Sequence, residues 1–103
     1  MNKQKTGHHV ESHFHLMYLI TGILESHDSE HKELFQDIWT GYYQIENIDD
    51  LSALTEIFDI LHYHKKTMAK TLNLDSMDII YYFMSDLRKR IDHLKSLLIN
   101  ILL

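Results

Sequence analysis

The sequence predicts an all-α protein, an antiparallel up-down-up-down four-helix bundle, on three observations. First, residues that punctuate strands are scarce, with no proline and three glycines in 103 residues. Strands and hairpins need such residues between them, whereas runs of Leu, Ile, Met, Lys and Glu favour helix. Second, apolar residues recur at steps of three and four along most of the chain, the spacing of one helix face. Third, the short polar breaks SHDS, ENIDD and NLDS divide the chain into four periodic segments. Connections this short place consecutive helices side by side and antiparallel.

Helix 1 is expected from about Gly7 to Glu25, with Thr6 or Gly7 as its cap. Val10, Phe14, Met17 and Leu24 repeat on one face, interleaved with Leu16, Ile20 and Ile23. In this reading HHVESHFH, residues 8–15, forms the first two turns, with Val10 and Phe14 toward the core and His8, His9 and His15 in solvent. Within the next break Ser26, Asp28 and Ser29 are all N-cap residue types. Helix 2 is expected over Ser29 to Glu46, with the stripe Leu34, Phe35, Ile38, Trp39, Tyr42 and Ile45. Asp49 or Asp50 would cap helix 3, which carries Leu51, Leu54, Ile57, Phe58, Leu61, Met68 and Leu72.

Helix 4, capped by Asp75 or Ser76, has the cleanest pattern. Met77, Ile80, Met84, Leu87, Ile91, Leu94, Leu98 and Ile101 alternate steps of three and four. A seam of this period packs knobs into holes at roughly 20°. The residues from 7 to 103 therefore form one domain, preceded by a disordered tail over residues 1–6.

The end of helix 4 asks for more cover than one small bundle supplies. Leu97, Leu98, Ile99, Ile101, Leu102 and Leu103 are apolar on nearly all sides of the helix, and such a helix must be buried all round. At ~37 Å, helix 4 also outruns helices 1 and 2, at ~26 Å each. A homodimer is expected through these residues. Tyr81, Tyr82 and Phe83 point in three directions from the same helix, which adds Tyr82 to the expected contact surface.

Charge and motifs exclude several functions. The net charge of −5 opposes general nucleic-acid binding. It is divided unevenly, −8 over residues 1–61 and +3 over residues 62–103, which lets the two halves attract each other. Arg88, Lys89 and Lys95 lie on the polar side of helix 4, and Arg88 has Asp92 four residues on. There is no cysteine, hence no disulfide and no thiolate metal site. No Gly-x-Ser-x-Gly or glycine-rich phosphate loop occurs, so the chain is read as non-enzymatic. The N-terminal stretch has no apolar signal core, and no apolar run approaches the ~20 residues of a membrane span. A cytoplasmic protein is expected.

Nine histidines remain to be explained. His9/His13 and His27/His31 are spaced i,i+4, and Asp28 and Asp59 stand three residues before His31 and His62. Carboxylate and imidazole at such spacing present metal ligands in helical bundles. Estimated heights sort the histidines into an upper group, His27, His31, His62 and His64, and a lower group, His9, His13 and His93. The upper group is the candidate site for zinc or another divalent ion. Apart from such a metal no cofactor is expected. In the alternative without metal, His64 is a core-face histidine, Asp59 pairs with His62, and the set responds to mild acid, because histidine changes charge near pH ~6.5.

Some of these stretches resemble the chemoreceptor zinc-binding domain. HFHLMYLI from His13 is similar to that family's histidine before an aromatic on its first helix. IWTGYY, Ile38 to Tyr43, is similar to its Cys-x-aliphatic-Gly-x-aromatic stretch, and HYHKK from His62 falls where its His-x-x-x-His helix would be. The resemblance spans about His13 to Leu98 and implies a small helical bundle. Of the family's four zinc ligands it carries over only His13 and His62. Ile38 stands at the cysteine position and Lys66 at the last histidine.

The expected function is protein–protein interaction by a self-associating, regulatory or adaptor type of bundle. A histidine-based metal or pH sensor is the alternative.

Overall fold

The computed structural model describes residues 12–41 and 47–103. Among these the chain forms four α-helices and no strand: α1 His13–Ser26, α2 Lys32–Trp39, α3 Leu51–Thr71 and α4 Leu74–Leu102, with a 3-10 turn, Ile48–Asp50, leading into α3. The all-α class follows. The expected tail, residues 1–6, the cap at Thr6 or Gly7, and Tyr42 and Ile45 of the helix 2 stripe lie outside the described residues.

The seam of α4 is the spine of the core. Met77, Ile80, Met84, Leu87, Ile91 and Leu94 are all buried, as the three–four alternation requires. Leu54, Ile57, Ile60, Leu61 and Met68 of α3 pack onto it, and α3 with α4 is the most extensive helix contact. Leu16, Ile20 and Leu24 of α1 join the same cluster, with Phe35 and Ile38 of α2. α1 packs on both α2 and α3. The shortest helix, α2, reaches α4 through rings: Phe35 meets Phe83 edge-on at 5.5 Å and Trp39 meets it at 4.9 Å.

One expected core residue is outside. Phe14 is exposed, and its helix turns Leu16, Ile20 and Leu24 inward instead. Residues 16, 20 and 24 are i,i+4 neighbours. Phe14 stands two places before this row, close to the far side of the helix.

The helix ends differ from expectation in instructive ways. Within the described residues α1 begins at His13, not Gly7, because Ser12 is extended and its Oγ accepts the His15 N–H at 3.0 Å. The break after α1 is a C-terminal motif, not an N-cap. The Ser29 N–H donates to the Leu24 carbonyl and the Asp28 N–H to that of Glu25, the two bonds of a Schellman turn. Asp28 occupies its left-handed position, φ 54°, which Asp tolerates better than most residues. Helix α2 then starts at Lys32 with no side-chain cap. It stops at Trp39, well before Glu46, because Gly41 takes φ +80° and its N–H donates to the Ile38 carbonyl.

The other two caps are asparagines. Asn47 accepts from the Asp49 N–H and opens the 3-10 turn, while Asp50 makes no side-chain cap bond. Asn73 accepts the Ser76 N–H at 2.8 Å and caps α4, so Asp75 and Ser76 lie inside the first turn. No helix among the described residues is long and apolar enough to cross a membrane.

Candidate functional site

Two of the four candidate metal ligands meet. His27 is the C-cap residue of α1, its backbone fixed by the Schellman turn. His64 lies in α3 on the half-buried flank of the face that carries Leu61 and Met68. Their Nε2 atoms stand 2.8 Å apart. The ring centroids are 5.0 Å apart with the planes nearly perpendicular, so the rings meet nose to nose along the line joining them. Tyr63 packs edge-on against both, at 5.0 Å from His64 and 6.2 Å from His27. A neutral imidazole has one donor and one acceptor nitrogen. The contact therefore pairs an Nε2–H of one ring with an Nε2 lone pair of the other.

The other two histidines of that group are elsewhere. His31 turns to Glu56 of α3, Nε2 to Oε2 3.5 Å. His62 stacks in parallel on Phe58 at 6.0 Å. The guanidinium of Arg88 from α4 lies over the same Phe58 ring at 5.7 Å. Among the described residues no three His, Asp or Glu side chains gather as a metal cluster. The four-histidine grouping is thus a pair, a histidine–carboxylate contact and a stacked ring. Neither Asp28 nor Asp59 supplies the histidine contact that the i,i+3 spacing suggests.

Residue numbering explains part of this. His62 and His64 are two apart on one helix and so point about 200° away from each other; only one can face α1. That was readable from the sequence. Glu56 was not, since its relation to His31 depends on how α2 enters after the Schellman turn.

In the lower group, His9 lies outside the described residues. His13 rests on Trp39, ring centroids 5.3 Å apart. Both line a groove of about 660 Å³ whose α4 wall includes Tyr82, Phe83, Asp86 and Arg90. His93 is exposed and does not line that groove. Arg90 donates to Asp86 at 2.9 Å. The Trp39 Nε1–H is buried with no hydrogen-bond partner among the described residues. His13 and His62, the two positions carried over from the chemoreceptor zinc-binding domain, thus rest on different aromatic partners, Trp39 and Phe58.

The last turns of α4 carry a run of exposed apolar side chains. Leu97 and Leu98 are half-buried, while Ile99, Ile101, Leu102 and Leu103 are 56%, 69%, 77% and 97% exposed. Tyr82, one helix face away from buried Phe83, is 80% exposed. Arg88 pairs with Asp92 at 3.5 Å on the solvated side, as their i,i+4 spacing suggested.

No protein-family model matches the chain, and no curated protein or solved structure matches it significantly.

Proposed function

We propose that the chain is a non-enzymatic, cytoplasmic helical bundle of the regulatory or adaptor type, which acts by binding protein and self-associates as a homodimer through the apolar end of α4. The observation that carries this reading is the uncovered continuation of the α4 seam. Its period runs on through Leu98 and Ile101, but Leu94 is the last fully buried residue, Leu98 is half-buried and Ile101 is exposed.

An antiparallel up-down arrangement accounts for that loss of burial. With α3 and α4 folded back about Leu72 and Asn73, residue numbers mirror each other, and Leu51 at the start of α3 stands level with Leu94. The 3-10 turn touches α4 as well as α3, which extends the cover by about one turn. Among the described residues α4 is longer than the helix it packs on. At 1.5 Å per residue its 29 residues span ~43 Å against ~31 Å for the 21 of α3. A second copy laid along the same seam would continue the knobs-into-holes packing. Light scattering over a range of concentrations tests this, and a monomer mass throughout would end it.

A second reading is favoured by the His27–His64 contact. In that reading the chain is a histidine-based bundle that binds metal or senses pH. Thermal melts of the native chain and of His64→Gln from about pH 5 to about pH 8 test the second of these, and a flat melting temperature would end it.

A further inference from the structure

We propose that His27 and His64 form a binding site for one divalent first-row transition-metal ion, held between the end of α1 and the middle of α3. Two imidazole nitrogens from different helices, 37 residues apart in sequence, face each other across 2.8 Å. Neither backbone is loose. The Schellman turn sets the backbone of His27, α3 holds His64, and the Tyr63 ring flanks both. When each ring carries its proton on Nδ1, both Nε2 lone pairs enter the same gap.

Imidazole is a ligand for zinc, copper and nickel. Tetrahedral geometry with metal–nitrogen bonds of 2.0–2.1 Å separates two ligand nitrogens by ~3.3 Å. The rings must therefore spread by about half an ångström and tilt, which the exposed side chain of His27 permits. Water would fill the remaining positions, as it does wherever a protein leaves coordination sites open. Proton accounting is simple. In the neutral pair, the proton between the Nε2 atoms moves to Nδ1 of its own ring through solvent and none is released; from the singly protonated pair, one proton leaves to bulk water. His31, engaged with Glu56, and His62, stacked on Phe58, take no part.

Four further histidines lie between residues 8 and 15, so the test uses the untagged chain carrying H8Q, H9Q, H13Q and H15Q. Titration with Cu2+ and Zn2+ by calorimetry should give one ion per chain. Loss of a ligand should weaken binding at least about tenfold. H27Q and H64Q should each show this loss, and H62Q and H31Q should bind as the background does. The electron paramagnetic resonance of the Cu2+ form should report two equivalent imidazole nitrogens, a readout that needs no further variant to fold. Absence of saturable one-to-one binding overturns the site. So does a spectrum with fewer than two nitrogens, or an equal loss of affinity in H62Q.

Discussion

Replacing Ile101 and Leu102 together by aspartate separates self-association from folding. The two side chains are 69% and 77% exposed, so the substitution removes little contact within the chain, and exposed changes of this kind stay within ~0.5 kcal/mol of stability. Their value in a dimer is larger. Fully burying a Leu or Ile is worth ~1.5–3 kcal/mol, and the exposed fractions leave ~2–4 kcal/mol for the two residues in each copy. Symmetry doubles that figure. If a packed contact captures half of it, the variant loses ~2–4 kcal/mol, or roughly 30- to 900-fold in Kd.

Association itself costs ~4–15 kcal/mol, so a dimer built on this surface has little margin and should dissolve. Sedimentation velocity from about 1 to about 300 μM, bracketing micromolar affinity, should show a dimer for the native chain and a monomer for I101D/L102D. Their melting temperatures, measured where both are monomeric, should agree. The reasoning fails if the native chain is monomeric throughout, or if the variant associates like the native chain. It also fails if the variant unfolds early, since that would place these residues in the core.

Two further outcomes follow from the same packing. Leu87 is fully buried in the centre of the α4 seam, so Leu87→Ala should cost ~2–5 kcal/mol in denaturant unfolding. Asn73→Ala removes the bond to the Ser76 N–H and should cost about 1 kcal/mol, whereas Asp75→Ala loses only a first-turn charge, ~0.3–1 kcal/mol; the reverse order would mean that Asp75 is the cap.

The fold was legible where the pattern itself is the physics. Periodicity records which side of a helix is dry, and the α4 seam from Met77 to Leu94 is buried as its spacing demands. Helix ends were legible only as regions. Ser, Asp and Asn all satisfy free N–H groups, and composition alone does not say which one will. The sequence suggested Asp75 or Ser76 and the chain uses Asn73; it offered Ser26, Asp28 and Ser29 as N-cap residue types, and the chain uses Asp28 to end α1. Phe14 fits a helical stripe on spacing but not the stripe that Leu16, Ile20 and Leu24 define. The histidines were the least legible for a similar reason. The i,i+4 relation of His27 and His31 assumes one continuous helix, and the left-handed Asp28 between them turns the chain. His27 thereby caps α1 toward α3, while His31 opens α2 beside Glu56. The true neighbour of His27 is 37 residues away, where no local spacing rule reaches.

The two proposals occupy different parts of α3 and α4, and this makes them independently testable. In the proposed antiparallel register His64 would stand level with Tyr81, about 13 residues short of Leu94, or ~20 Å along the helix. An ion between His27 and His64 would then touch nothing in a contact made by residues 97–103. An effector shifts an equilibrium only through differential affinity for its two states. Metal should therefore bind monomer and dimer alike, and saturating Zn2+ should leave the dimer dissociation constant unchanged in a histidine-depleted background. A metal-dependent dimer would place the subunit contact at the histidine pair, with imidazoles from both copies sharing the ion, and would remove the end of α4 from the interface. The combination of I101D/L102D with H64Q decides between these arrangements, because only in the first does each substitution abolish its own readout and spare the other.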